Sequence, residues 1–430
     1  MDHSFDLRSL GASVQVLQIV AILIAAGIIV AASRRISGLP LIALSAVLTA
    51  PLAVGVFLIS DPVKAFEDFL DAYWRAGRLV LDGPQQLRPM FEWGVDGFVN
   101  LPIVAFLFAP LGVLQPKLAA GVFFVVGVLA LIATWIVLVR AFRLSSRDAG
   151  LALLAIGSFG PLHYSLKEGN TSHLLILPLV VGIALLRARR DLLAGMLFGA
   201  AAVIKLPLLL IGIYFLLRGR FYVVAGGLAV VVAAVAASLA VFGWDMHVLW
   251  YENCIRPFTD SPMAAFNVQS VEATFSKLTL GVEGLHDWTV QRLSWPAAIS
   301  AQLINLALMA AVAIVIWRGR HNNSPLMIEG ELMAIIVLAC LRSPLSWSHY
   351  YVWLVLPGVF MLARASDGQI RGRGLFVLAA GWLLAAPAVF MYDVRDWGYV
   401  AVLGNLHLLA GAMILLALLV KWRARAPRTA

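Results

Sequence analysis

Asp68 is the residue of this 430-residue chain best placed to do chemistry. It stands in the stretch DPVKAFEDFLDAYWRAGRLVLDGPQQL, just after a long apolar run, where apolar positions recur every three or four residues from Phe66 to Leu81. A carboxylate in the first turn of such a helix is held by the helix-terminal amides. It can take the proton of a hydroxyl delivered along a membrane surface, which is the work of a general base. The same position also suits a plain helix cap. Asp61, directly after the apolar run, is a more distant candidate. Lys205 is the second residue of interest, because it interrupts the apolar run LLAGMLFGAAAVIKLPLLL beside Pro207. An ammonium there is costly unless it lines a wet cavity or finds a partner; the alternative is that it snorkels to the surface. Metal chemistry finds no such footing. The eight histidines are scattered, and no loop carries His-x-x-x-His or a paired Asp-x-Asp. The two cysteines form no disulfide framework.

The elements that must position these residues are membrane helices. The chain is 62% hydrophobic and only 13% charged, against about 45–50% apolar and about 25% charged in soluble domains. A water-soluble core of this size cannot hide that surplus, so lipid is the expected solvent. A span takes about 20 apolar residues. Such runs lie near 12–32, 39–59, 118–139, 149–165, 172–186, 221–241, 297–317, 327–341, 349–363, 374–391 and 401–420. Asn100 to Leu114, punctuated by Pro102 and Pro110, reads as re-entrant or interfacial, and 192–217 as two short helices making a hairpin with Lys205 near its tip. The expected fold class is therefore an all-α integral-membrane bundle of about 11–13 transmembrane helices, formed as one domain over residues 1–430.

Charge gives the orientation. Arg34, Arg35, Arg140, Arg143, Arg147, Arg187, Arg189, Arg190, Arg218, Arg220, Arg318, Arg320, Arg364, Arg371, Arg373 and the tail Lys421, Arg423, Arg425 and Arg428 fall on one side, with few acids. That side carries +14 and the other −5, which together make the chain's net +9. By the positive-inside rule the basic side is cytoplasmic, and nucleic acid is not needed to explain the charge. Thirteen crossings satisfy the division, with the N-terminus outside and the C-terminus cytoplasmic. The long connections 60–117 and 242–296 then lie outside, where the chemistry is expected. The Phe66–Leu81 stripe reads as an interfacial helix anchored by Tyr73 and Trp74. Trp244, Asp245, Trp250, Tyr251 and Glu252 in the second connection suit either sugar stacking or an interfacial belt. There is no Walker motif and no visible internal repeat, which counts against ATP-driven or inverted-repeat transport.

The run Asp68-Phe-x-x-Ala-Tyr-Trp-x-Ala-Gly-Arg-x-Val-Leu-x-Gly-Pro, followed by FVNLPIVAFLFAPLGVL, resembles the start of glycosyltransferase family 87, within the GT-C class of integral-membrane glycosyltransferases. Gly169-Asn170-Thr171-Ser172 resembles the family's Gly-Gln-x-Asn turn, and the apolar run ending Lys205-Leu206-Pro207 is similar to its Gly-rich helix ending in Lys-x-Pro. Asn267-Val268-Gln269-Ser270 resembles its Asn-Gln-Ser segment with one residue inserted, and Ser343-Pro344-Leu345-Ser346-Trp347-Ser348-His349 its Ser-Pro-x-Ser-Trp-x-His element.

The resemblance implies an inverting transfer of a hexose, by family analogy mannose, from a polyprenyl phosphate to a hydroxyl on a lipid or glycan. It implies no cofactor and no metal, and a site on the outer face of a bacterial cytoplasmic membrane. Asp68 matches the family's base, with Asp71 as the alternative if the register slides. Lys205 then faces the lipid phosphate, whose charge grows as the bond breaks. His349 and Arg342 flank the Ser-Pro-x-Ser-Trp element; His349 either binds phosphate or a sugar hydroxyl or packs among aromatics, and Arg342 either binds donor or pairs with an acid. Asn267, Gln269 and Asn170 are uncharged candidates for substrate contact. Arg75 and Arg78 reach either donor phosphate or lipid headgroups. Two further functions stay open: a lipid-linked-glycan flippase or transporter, and a non-catalytic subunit of envelope glycan assembly.

Overall fold

A computed structural model describes residues 11–60, 65–94, 97–259, 261–388 and 398–422. Asp61 and the basic tail residues Arg423, Arg425 and Arg428 lie outside the described residues. Helices dominate, and among the described residues extended pairing is confined to the isolated bridges Met263–Val290 and Val268–Trp347. Among the described residues, five helices are long and apolar enough to cross a membrane: Val14–Ala32, Leu39–Ile59, Pro116–Ala141, Phe221–Phe258 and Trp295–Gly319. Only 17% to 28% of their apolar windows is buried inside the protein. Faces this apolar and this open are stable only against lipid. The chain is an all-α polytopic membrane protein.

The sequence count of spans runs higher because it includes pieces that the structure bends or shortens. Ser146–Gly157 and Gly160–Glu168 meet at 50°, and Tyr399–Asn405 and His407–Lys421 at 42°; counting each bent pair as one span gives seven. Thr171–Arg187, Asp191–Ile204, Leu206–Leu217 and Arg373–Ala385 are apolar but short. The helix expected to end near 241 continues to Trp250, kinked at Gly243 (φ 75°), so Trp244 and Asp245 are helical rather than part of a loop.

The helices pack as two units, one of Met1–Asp61, Leu138–Tyr164 and Met263–Ala430, the other of Pro62–Val137 and Ser165–Pro262. In the first, Pro325–Arg342 is enclosed along nearly its whole length, and Phe159 stacks on Trp382 with ring centroids 4.7 Å apart. In the second, Asp191–Ile204 runs against Phe221–Trp250 with almost no side chain between the backbones. A Cβ on Gly195 would lie 1.9 Å from the Val223 carbonyl oxygen, and one on Gly199 2.5 Å from that of Gly227. Small residues one turn apart let apolar helices approach this closely, as in other membrane helix pairs. This pairing fixes the helix that carries Lys205 at its C-terminal end.

The stripe expected to lie on the membrane surface does something else. Phe69, Tyr73, Ala76 and Val80 are buried in a protein core with Phe98, Phe108 and Phe123. Tyr73 is 3% exposed, its ring 4.8 Å from Phe108, so it is not a headgroup anchor. Trp74 donates from Nε1 to the Leu114 carbonyl at 3.1 Å. A helical stripe announces an apolar partner, and here the partner is the segment that follows it rather than lipid.

Candidate active site

The segment carrying Asp68 opens with backbone strain. Phe66 holds a left-handed φ of 62°, a conformation that non-glycine residues rarely adopt and that gathers at functional sites. Its N–H donates to the Lys167 carbonyl at 2.6 Å, which ties the segment to the Gly169–Ser172 turn. Asp68–Trp74 then forms a π-helical turn that passes into the α-helix Arg75–Asp82. The wider π-turn matters for the two acids. In an α-helix residues three apart share a face, whereas i→i+5 bonding turns Asp71 away from Asp68.

The two carboxylates therefore differ in surroundings. Asp71 has a 51% exposed side chain and pairs with Arg75 at 3.3 Å, one turn on. Arg75 also lies over the Trp93 ring, 5.3 Å from its centroid. Arg78, three residues later, is exposed. Asp68 instead faces protein: its Oδ2 accepts from Asn170 Nδ2 at 2.6 Å. Burial pushes the Asp68 carboxyl above its ordinary 3.8, opposed by the Asn170 hydrogen bond and the Lys205 charge and reinforced by Glu67.

Asn170 can reach Asp68 because of Gly169. The turn requires φ +69° there, and a Cβ would lie 2.4 Å from the Cβ of Phe69. Only glycine lets the turn press against the residue next to Asp68. Gly169→Ala is expected to cost about 1 kcal/mol for the backbone and a further ~1–3 kcal/mol for the clash. It should lower the melting temperature in detergent and displace Asn170 from Asp68. Gly212→Ala is the control, since nothing lies within 4 Å of a Cβ there; equal melting temperatures for the two variants would contradict this reading of the turn.

Lys205 sits where the sequence places the break. Pro207 cannot continue the helix, and Lys205 itself is extended (φ −135°, ψ 100°) between Asp191–Ile204 and the turn Leu206–Leu208. The carbonyl of Ile204, left over by the break, accepts from Asn100 Nδ2 at 2.6 Å. The broken backbone is thus covered by protein, as membrane depth requires. Lys205 is buried, 5% exposed, and close enough to Asp68 for each charge to stabilise the other. Snorkelling to the surface is not what this side chain does.

The other sequence candidates gather in the first unit. Asn267 and Gln269 lie beside the Ser346–Ser348 segment: the Gln269 N–H donates to Ser346 O, and the Ser348 N–H to Asn267 O, both at 2.6 Å. Asn267 Nδ2 donates to the Tyr164 hydroxyl at 3.1 Å. His349 lies between the rings of Tyr164 and Trp347, nearly parallel to both, with centroids at 6.4 and 6.2 Å. Gln269 uses its amide internally, donating to Phe266 O at 2.8 Å and Asn405 Oδ1 at 3.0 Å. Arg342 pairs with Glu272 at 3.6 Å, and Glu272 also accepts from Asn305 at 2.6 Å. Of the two readings for Arg342, pairing with an acid is the one seen.

Lys277 was not legible in the sequence. It is fully buried and donates to Val268 O and to Asn405 Oδ1, and burial pushes its amine down to about 7. Tyr164 was missed in the same way. Among the described residues, no three His, Cys, Asp or Glu side chains gather as a metal-binding group.

Apolar helices open to lipid, together with a half-buried carboxylate clustered with a buried amide and a buried amine, define a polytopic membrane protein that holds polar groups among its helices. The sequence model of Glycosyltransferase family 87 matches residues 98–344. The chain belongs to that family and is a membrane glycosyltransferase. It is 26% identical over 377 residues to a polyprenol-phosphate-mannose-dependent alpha-(1-2)-phosphatidylinositol pentamannoside mannosyltransferase of Mycolicibacterium smegmatis, covering 80% of this chain and 83% of that protein. It is also 26% identical over 318 residues to a polyprenol-phosphate-mannose-dependent alpha-(1-2)-phosphatidylinositol mannoside mannosyltransferase of the same organism, covering 66% and 67%.

Proposed function

We propose that this chain transfers mannose from a polyprenyl phosphate to a hydroxyl of a glycolipid or glycan, with inversion, on the outer face of a bacterial cytoplasmic membrane. The observation that carries this is the Asp68–Asn170–Lys205 cluster: a carboxylate with one oxygen held, beside a buried ammonium at a helix break. The named relatives supply the donor class and suggest phosphatidylinositol mannosides as the first acceptors to try.

The acceptor O–H gives its proton to Asp68 as the oxygen attacks the anomeric carbon. The bond from that carbon to the phosphate oxygen breaks, and polyprenyl phosphate leaves with the electron pair. Asp68 has the right electrostatics for its part, since burial makes it a stronger base than a free carboxylate while Lys205 and Asn170 oppose that rise. Lys205 faces the departing phosphate, where an ammonium held in a low-dielectric site counters charge far better than one in water. The basic connections and the C-terminus face the cytoplasm in this reading.

The test is donor discrimination by the purified protein in lipid nanodiscs. Labelled mannose should move to glycolipid from polyprenyl-phosphate mannose and not from a nucleotide-linked mannose. Transfer from the nucleotide donor alone, or from neither, would overturn the proposal.

A further inference from the structure

The hydrogen bonds around the Gly169–Ser172 turn do more than close a loop. Asn170 caps the short turn Thr171–His173, and its Oδ1 accepts both the Ser172 N–H at 3.1 Å and the Ser172 hydroxyl at 2.9 Å. The Ser172 N–H settles which end of the amide is which, because a main-chain N–H can only donate and an NH2 group in that place would face it unpaired; the Ser172 hydroxyl adds a second bond to the same oxygen. The Nδ2 end is therefore forced toward Asp68, where it donates at 2.6 Å. The main chain of the turn is held as well. The Asn170 N–H donates to Ser165 O at 2.9 Å, and Ser165 Oγ lies 3.0 Å from His173 Nδ1. Tyr73, one turn beyond Asp68, meets Thr171 with 3.4 Å between hydroxyls. Asn170 and Ser172 are both buried, so water does not compete for these bonds.

We infer that Ser172 and Asn170 are positioning residues for the transfer: Ser172 orients the Asn170 amide, and Asn170 holds one oxygen of Asp68 so that the other takes the acceptor proton. This rests on the reading of Asp68 as the base. A carboxylate left unheld rotates about its terminal bond, and each orientation that turns the receiving oxygen away from the acceptor is unproductive. The donor also opposes burial. A hydrogen bond to the ionised form favours that form, and bonds to charged groups are the strong class. The charged groups acting on Asp68 are Lys205, from the broken helix, and Glu67, on its own segment. Removing Asn170 leaves Lys205 to oppose burial and Glu67 alone. The Asp68 carboxyl must then rise further, and the base is lost at a higher pH than in the wild type.

The experiment is the pH dependence of kcat/KM for mannose transfer by the full-length protein in nanodiscs, with polyprenyl-phosphate mannose as donor. Wild type, Asn170→Ala, Ser172→Ala, Ser172→Thr and Asp68→Asn are compared. Asn170→Ala should move the acid limb up by about one pH unit and lower kcat roughly tenfold or more, with donor KM little changed. Ser172→Ala should move the limb in the same direction by less, and Ser172→Thr, which keeps the hydroxyl, should restore it. A purely structural role would lower the amount of active enzyme without moving the limb. If Asp68→Asn is inactive and neither alanine variant moves the limb, the positioning inference fails while the base assignment stands. If Asp68→Asn is active, the base assignment fails and takes this inference with it. Should Asn170→Ala not fold, the limb of Ser172→Ala decides alone.

Discussion

Asp68→Asn is expected to lower the rate of mannose transfer by about 10²–10⁴-fold, the usual contribution of a general base, without lowering thermal stability. Asparagine matches aspartate in size but cannot accept a proton at neutral pH. Burial already works against the charged carboxyl at this position, so the neutral amide removes a desolvation cost as it removes the base. Asp71→Asn is the matched comparison. Its carboxylate is half exposed and pairs one turn on with Arg75, an arrangement worth about 0.3–0.5 kcal/mol. Its loss should leave transfer within a few-fold of wild type, on the order expected when a surface pair is removed. Initial rates with saturating donor and the two melting curves decide the matter. Inactivity of Asp71→Asn beside an active Asp68→Asn would transfer the base role to Asp71.

Lys205→Met should cost on the order of 10²–10³-fold in transfer rate, comparable to losing one fixed donor to a developing negative charge. Methionine keeps the apolar stem and fills similar volume, so the helix break and its Asn100 contact should survive. Two consequences separate a phosphate-facing role from a structural one. The rate loss should persist at saturating donor, because the ammonium matters most as the bond breaks. The acid limb of the pH profile should rise, because Asp68 loses the cation that favours its ionised form. Lys205→Arg should recover only part of the activity, since a planar guanidinium does not sit where a compact ammonium did. Wild-type turnover in Lys205→Met would remove the lysine from the mechanism.

Several features could be read from the chain alone because they depend on local composition. Apolar windows locate the five long apolar helices, and Pro207 beside Lys205 locates the break. Both follow from what the residues themselves prefer, whatever they pack against. The partner of the Phe69–Val80 stripe was not legible, because helical periodicity shows that a face is apolar without showing what covers it. Polar pairing was hidden for a different reason. Asp68 and Asn170 are 102 residues apart, Asn267 and Tyr164 103, and Gln269 and Asn405 136. No sequence period links such residues; only the packing of helices brings them together. Lys277 shows the limit most clearly. On paper it is one more charge in an outer segment, whereas folded it is enclosed and bonded to a main-chain carbonyl. The π-turn that separates Asp68 from Asp71 was equally invisible, since nothing in Asp68–Trp74 distinguishes it from an ordinary helical run.

The central claim is that Asp68 drives transfer from a lipid-linked phosphate donor. Its most direct measurement places wild type and Asp68→Asn, purified and reconstituted side by side, with labelled polyprenyl-phosphate mannose and a phosphatidylinositol mannoside. Label should pass into the glycolipid with wild type and fall to near background with Asp68→Asn. Equal transfer by the two proteins would contradict the account.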